Sequence, residues 1–397
     1  MRPSLITLTV LAAACGERST TAPLPNAPVT PRTLDCAATN PSCPALTVIG
    51  DAPYVLPSGA TSPTRGYADP SLRRDPATGT LWLAYSWPHL TFASASKATV
   101  TVSNHLARSD DGGTSWRFVR PLWESAAETG KSGAGGYSNH EVVSLAPRAT
   151  AAGTIWYSAR LQYFTTDGGP DATSFRIRVA TAASPDQLVA AEDVVLGGAA
   201  TDAYWRPDVD LSSLSSELTP CLYNDPAVFA HSDTLYLAMQ CQVFDPDGER
   251  PDREFVAVFS TLLSGGPRTW KWRYHGKLAT SADAAELGGS SLMQTDLVLG
   301  QDGALLAVFS PSAPASPLAI HYGCRVVEVA SLAPPRLSRD DAGKLRVRAS
   351  VGASDLLPTG PAACGYDPAS ATGVVITRRA MGDGQLVVSL NRTGLRP

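Results

Sequence analysis

The sequence predicts an all-β protein, and within that class a five-bladed β-propeller whose ring is closed by an N-terminal strand. Three observations carry this expectation. First, the 397 residues include 33 glycines and 32 prolines but only 17% charged residues, against average usage of roughly 12% Gly plus Pro and about 25% charge. That balance suits many short strands joined by turns and excludes a helical bundle. Disorder is excluded as well, because 44% of the chain is apolar and the net charge is only −4. Second, one phrase recurs five times: an aromatic or polar lead, an acid, a β-rich run, a Gly/Asp turn and a second β-rich run. Third, the acids of that phrase, Asp69, Glu141, Asp225, Asp296 and Asp367, are spaced by 72, 84, 71 and 71 residues. Hairpin signals repeated at such a period mark a propeller.

The units follow in order. The first has Tyr67-Ala68-Asp69-Pro70-Ser71-Leu72, a turn at Gly79 and Leu81–Tyr85, with further strands expected over 99–108 and 117–122. The second has Asn139-His140-Glu141-Val142-Val143, a turn at Gly153 and Ile155–Tyr157. The third has Tyr223-Asn224-Asp225-Pro226, a turn at Ser232-Asp233 and Leu235–Leu237, then 254–261 and 271–278. The fourth has Gln294-Thr295-Asp296-Leu297, a turn at Gly303 and Leu305–Phe309, then 325–329 and 344–350. The fifth has Gly365-Tyr366-Asp367-Pro368, a turn at Gly373 and Val374–Ile376, and ends with 386–390. This last unit is short, and the β-rich stretch 46–55 is expected to supply its outer strand and so join the two ends of the ring. Six blades is the alternative, if the long third unit or the spacer before it holds an extra one.

The N-terminus reads as a targeting segment, with Arg2, an apolar run from Leu5 and the small residues Ala12-Ala13-Ala14. The run is too short to span a bilayer, which needs about 20 apolar residues. Cys15 follows directly, and the arrangement resembles a bacterial lipoprotein signal, with Ala12 where Leu is usual. The resemblance implies a signal peptide over 1–14, lipidation at Cys15 and an envelope location; an ordinary secretory signal is the alternative. The Pro/Thr/Ala-rich stretch 15–45 reads as a tether, and 46–397 as the propeller domain. Six further cysteines in an exported chain suggest disulfides. Spacing favours Cys36–Cys43 across a small loop, Cys221–Cys241 across a strand-turn-strand, and Cys324–Cys364; buried free thiols are the alternative.

Between the third and fourth strands of the first unit lies Ser109-Asp110-Asp111-Gly112-Gly113-Thr114-Ser115-Trp116. It matches the Asp-box at every fixed position: Asp111 accepts from turn amides, the glycines permit positive φ, and Trp116 packs inside the blade. The motif resembles the repeats of sialidases and other bacterial neuraminidase-repeat propellers, which implies fold more than activity. Sialidases bind a substrate carboxylate with three arginines and open their first blade with an Arg-Ile-Pro type phrase. Here Arg65 sits instead in Thr64-Arg65-Gly66, and with 27 arginines in the chain no triad is assigned.

The phrase Ala68-Asp69-Pro70-Ser71 is similar to the opening of five-bladed glycoside hydrolases that act on arabinans, xylans and fructans. That resemblance implies catalytic acids on the first strands of successive blades, with Asp69 as base or nucleophile. Glycoside hydrolysis needs two carboxyl groups, one of them protonated. Glu141 is the candidate general acid and Asp225 the acid that tunes the pair, although the family more often has Asp in blade two and Glu in blade three. Tyr67, Tyr223, Asn224 and Tyr366 are candidate sugar-binding residues, with His140 beside Glu141 and the ring acids Asp296 and Asp367. Arg65, Arg206 and Arg325 are candidates for an anionic substrate group. No cofactor is expected, though a ring of acids also suits calcium at the axis. The expected partners are a carbohydrate and, through the lipid anchor only, a membrane. The 32 basic and 36 acidic residues leave no footprint for nucleic acid, and the chain is expected to be a monomer. A non-catalytic carbohydrate- or protein-binding propeller is the competing expectation.

Overall fold

The computed structural model describes residues 30–94, 97–167, 169–314, 319–356 and 361–397. The fold is all-β. Sheet one runs from its inner strand Ala68–Arg74 through Leu81–Ser94 and Lys97–Ser109 to Trp116–Trp123. Sheet two has Gly135–Thr150, Gly153–Thr166, Gly169–Ala182 and Asp193–Gly197; sheet three has Leu222–His231, Thr234–Gln242, Phe255–Leu262 and Arg273–Thr280. Sheet four has Ser291–Leu299, Leu305–Ala313, Cys324–Leu332 and Val347–Gly352; sheet five has Pro361–Gly365, Val375–Gly382 and Gln385–Arg392. These strands are antiparallel, as short hairpin turns require. The stretch between Ala182 and Cys221 holds short 3-10 turns and two short strands, Asp193–Gly197 and Val209–Asp210, both added to sheet two.

Each inner strand packs against the next, and that of sheet five packs back on that of sheet one. Period-2 alternation explains the cores between them. Leu81, Leu83 and Tyr85 pack with Val375 and Leu390 of sheet five, while Trp82 and Ala84 pack with Leu145 and Trp156 of sheet two. Three further cores join sheets two and three, three and four, and four and five. Strands buried on both faces account for the apolar runs and the low charge.

The three disulfides pair as the spacing favoured: Cys36–Cys43, Cys221–Cys241 and Cys324–Cys364. The last ties sheet four to sheet five. The Asp-box turn is built as its chemistry requires. Asp111 accepts from the Ser115 amide at 2.9 Å and the Ser109 hydroxyl at 2.7 Å, Ser109 accepts from the Gly113 amide at 2.8 Å, and Trp116 is buried. These hydrogen bonds hold the Asp111 carboxyl below the usual range.

Two expectations about the N-terminal segment are corrected. The stretch 46–55 is not the outer strand of sheet five. Leu46 donates to the Leu390 carbonyl at 2.7 Å and the chain then crosses to sheet one, where Val48–Ile49 pairs in parallel with Trp116–Arg117. The outer strand of sheet five is Thr64–Gly66, parallel to Leu386–Val388. The tether reading fails over its second half as well. Arg32–Asp35 adds in parallel to Val347–Gly352, whose open edge offers unpaired backbone groups, and the Cys36–Cys43 disulfide is buried in the core between sheets four and five, with the loop it closes at the surface. The segments 1–14 and 15–29, Cys15 included, lie outside the described residues. Among the described residues no helix is long and apolar enough to cross a membrane.

Candidate active site

The inner strands share a local irregularity that builds the site. Each pairs with its neighbour except at a two-residue bulge: Asp69-Pro70, Val142-Val143, Asp225-Pro226, Gln294-Thr295 and Ala362-Ala363. In four of them the first bulge residue takes a left-handed backbone, with φ of 50° at Asp69, 48° at Val142, 47° at Asp225 and 54° at Gln294. Such a bulge bends the strand and re-aims its side chain. A non-glycine residue there costs free energy, and such strain gathers at functional sites.

Hydrogen bonds between sheets hold the bulges in place. The Asp69 amide donates to Thr377 Oγ1 of sheet five at 3.1 Å, the Val142 amide to Ser86 Oγ of sheet one at 3.0 Å, and the Gln294 amide to Asp225 Oδ2 at 2.8 Å. Gln294 also donates through Nε2 to Asp69 Oδ1 at 2.9 Å. Gln294 therefore bridges the two aspartates. Glu141 stands one residue before its bulge, half-buried, and accepts from the Tyr163 hydroxyl.

The electrostatics separate the three acids. Burial pushes Glu141 up to about 8, reinforced by the Asp69 charge and opposed by the Tyr163 hydrogen bond. Burial raises Asp225 to about 7, opposed by the Gln294 amide and reinforced by Asp69. Asp69 rises less, to about 6, because the Ser86 hydroxyl and then the Arg379 charge stabilise its anion against the same burial. Arg379, on Val375–Gly382, is held below its usual range by burial and supported by Asp69 and Glu141. At neutral pH the cluster can hold a protonated carboxyl beside an ionised one, the arrangement acid–base cleavage of a glycosidic bond requires.

Beneath this layer lies a water-sized cavity of about 10 Å³, lined among others by Asp69, Ser71, Ser144 and Asp296. Arg73 lies against its Asp296 wall. Its guanidinium grips Asp296 at 2.5 and 3.0 Å and donates to the Leu297 carbonyl at 2.7 Å. Gln294 presents N–H groups rather than oxygens to both aspartates, a poor donor set for calcium. Among the described residues no three acids, histidines or cysteines gather as a metal site.

The structure places the sequence candidates unequally. Asp69, Glu141 and Asp225 come together, with Asn224 beside them accepting from the Asp225 amide. The five acids are not equivalent. Asp296 directly follows its bulge, two places after Gln294, and is spent on Arg73, while Asp367 caps a turn by accepting from the Arg74 amide at 2.9 Å and the Ala369 amide at 2.8 Å. His140 alternates with Glu141 along the strand, so it points to the opposite face and accepts from Arg160 at 3.4 Å. Burial and then the charge of Arg160 keep it neutral. Tyr223 and Tyr366 are core residues. Tyr67 packs on Tyr85 and donates to the Asp51 carbonyl; Arg65 is held on the outer strand by the Ser62 carbonyl and Gln385. Arg206 is exposed on a 3-10 turn, and Arg325 lies in sheet four on Cys324–Leu332, two strands out from the inner strand.

Four site residues were missed: Gln294, Ser86, Tyr163 and Arg379. Gln294 was legible. Counting back three residues from the aligned core positions Leu72, Leu145, Val228 and Leu297 gives Asp69, Val142, Asp225 and Gln294.

No family model and no curated protein matches the chain. Among solved structures it is similar to an arabinanase of Bacillus subtilis at 12% identity, over 82% of this chain and 92% of that one, with a TM-score of 0.41. It is also similar to an α-L-arabinofuranosidase of Lactobacillus brevis at 12% identity, over 71% and 75%, with a TM-score of 0.39. A Trypanosoma rangeli sialidase bound to the inhibitor DANA aligns at 10% identity over 87% of this chain and 58% of that one, with a TM-score of 0.38.

Proposed function

We propose that the chain is a glycoside hydrolase built as a five-bladed β-propeller, its fifth blade completed by Thr64–Gly66. Glu141 is the general acid, Asp69 the base or nucleophile, and Asp225 the acid whose charge sets the other two. The observation that carries this reading is the convergence of three carboxyls from the inner strands of three successive sheets, with burial and their neighbours giving each a different hold on its proton. Arg379 supplies the positive charge that keeps the cluster from neutralising completely. The sequence supports an exported, lipid-anchored protein, and we propose the bacterial envelope as its place and a monomer as its state.

A second reading rests on Gln294. By hydrogen-bonding both aspartates it also suits a binding propeller in which the acids brace the frame. Hydrolysis of arabinosides, xylosides, fructosides and sialosides separates the two. The enzyme reading expects turnover of one class, with Glu141→Gln and Asp69→Asn each lowering kcat at least about 10²-fold, the scale of general acid–base catalysis. Glycan binding without turnover, unchanged in both variants, would establish the binding propeller.

A further inference from the structure

A second cleft lies outboard of the inner strand in sheet four. Its volume is about 560 Å³, within the roughly 300–1,000 Å³ of small-ligand sites. Strand register builds it. Phe309, Arg325, Ser350 and Thr33 form a row across four strands, and Arg325, Ser350 and Thr33 line the cleft with Tyr322 and Ser354. The same register fixes its height. Met293 pairs with Ser310 and Asp296 with Val308, so Phe309 is level with the bulge at Gln294-Thr295. The cleft is therefore level with that bulge along the strand direction. Arg325 is two strands out from the inner strand, about 10 Å at ordinary strand spacing.

The guanidinium of Arg325 is half-buried, and Nη1 donates to the backbone carbonyls of Tyr322 at 3.2 Å and Cys324 at 3.1 Å. Among the described residues no carboxylate forms an ion pair with it, whereas Arg73, Arg160 and Arg178 each hold an aspartate. The one acid lining the cleft, Asp35, accepts from the Ser354 amide at 2.8 Å and its hydroxyl at 2.5 Å. A cation taken partly out of water without a counter-ion is costly unless an anion joins it, and a guanidinium fork fits a carboxylate bidentately. Ser350 adds a hydroxyl, and Tyr322 an apolar ring with a polar tip.

We propose that this cleft takes the carboxylate of an acidic sugar residue in the same glycan chain that the acids cleave. The proposal rests on the glycoside hydrolase reading and narrows its substrate to uronate-bearing glycans. The probes are trigalacturonate and neutral galactotriose, titrated calorimetrically into the full chain carrying Asp69→Asn to prevent turnover. Trigalacturonate is expected to bind about 10- to 100-fold more tightly, the span of a hydrogen bond to a charged group. Adding Arg325→Gln should abolish that preference, and so should Ser350→Asp, which sets a negative charge beside an intact Arg325. Equal affinity for the two probes, no binding of trigalacturonate, or a preference that survives Arg325→Gln in a folded protein would overturn the proposal. Hydrolysis is read separately: if Asp69→Asn still cleaves glycans the catalytic assignment fails, while the binding preference still reports on the cleft.

Discussion

At the scale of residues, burial does most of the work at Asp69, Glu141 and Asp225, and the neighbours decide the order. Glu141 keeps its proton up to about 8 and Asp69 loses its own above about 6. The expected kcat/KM profile is a bell with its acid limb near pH 6 and its alkaline limb near pH 8. Glu141→Gln should remove the alkaline limb from whatever activity remains. Asp225 gives a second prediction, one of stability. Its carboxyl rises from 3.8 to about 7 on folding, so between those values the folded chain holds a proton that the unfolded chain has released. Its contribution to stability is complete below about pH 4 and is lost as the pH climbs through 7. At about 1.4 kcal/mol per unit, the cost at pH 8 is on the order of a few kcal/mol. Asp225→Asn is therefore expected to raise Tm at pH 8 and to leave it unchanged near pH 4; an unchanged Tm at both would mean the carboxyl is solvated.

At the scale of elements, the bulge is the device that turns a repeated strand into a site. It explains why the repeat was legible and its acids were misaligned. The strands read clearly, because alternating apolar residues such as Leu81, Leu83 and Tyr85 must reach one core while Trp82 and Ala84 reach the next. The acids did not, because spacing alone cannot tell a residue in a bulge from one two places further on. Asp296 satisfied the period yet faces Arg73, and Gln294 broke the pattern of acids yet occupies the position of Asp69 and Asp225. Glu141 joined the cluster from one residue earlier, since the bulge position of its strand is Val142. The tyrosines Tyr67, Tyr223 and Tyr366 led the repeated phrase for packing reasons: all three ring systems are taken up by cores between sheets.

At the scale of the whole molecule, the pairing of Thr64–Gly66 with Leu386–Val388 joins an early strand to the last sheet. Gly66 makes it possible. It has φ of 115°, and a Cβ there would lie 1.7 Å from the Val388 carbonyl oxygen. Gly66→Ala must push the strands apart and is expected to cost about 2 kcal/mol or more, seen as a lowered Tm in thermal unfolding. Gly59→Ala is the control, since Gly59 also has positive φ, 84°, but a Cβ there meets nothing within 4 Å. Equal losses in the two variants would mean that backbone conformation alone matters and that close approach to Val388 does not.

The sequence by itself determined the all-β class, the order of the repeated units, the Asp-box turn and the three cysteine pairs, because strand alternation, turn chemistry and short-range spacing are local. It also singled out Asp69, Glu141 and Asp225, which stand in or beside the bulges of consecutive inner strands. The tertiary structure alone decided which stretch completes sheet five, that Arg32–Asp35 belongs to sheet four, and that Tyr163 and Arg379 join the cluster. Those outcomes depend on edges and bulges brought together from opposite ends of the chain, and such contacts leave no periodic trace in the residues that make them.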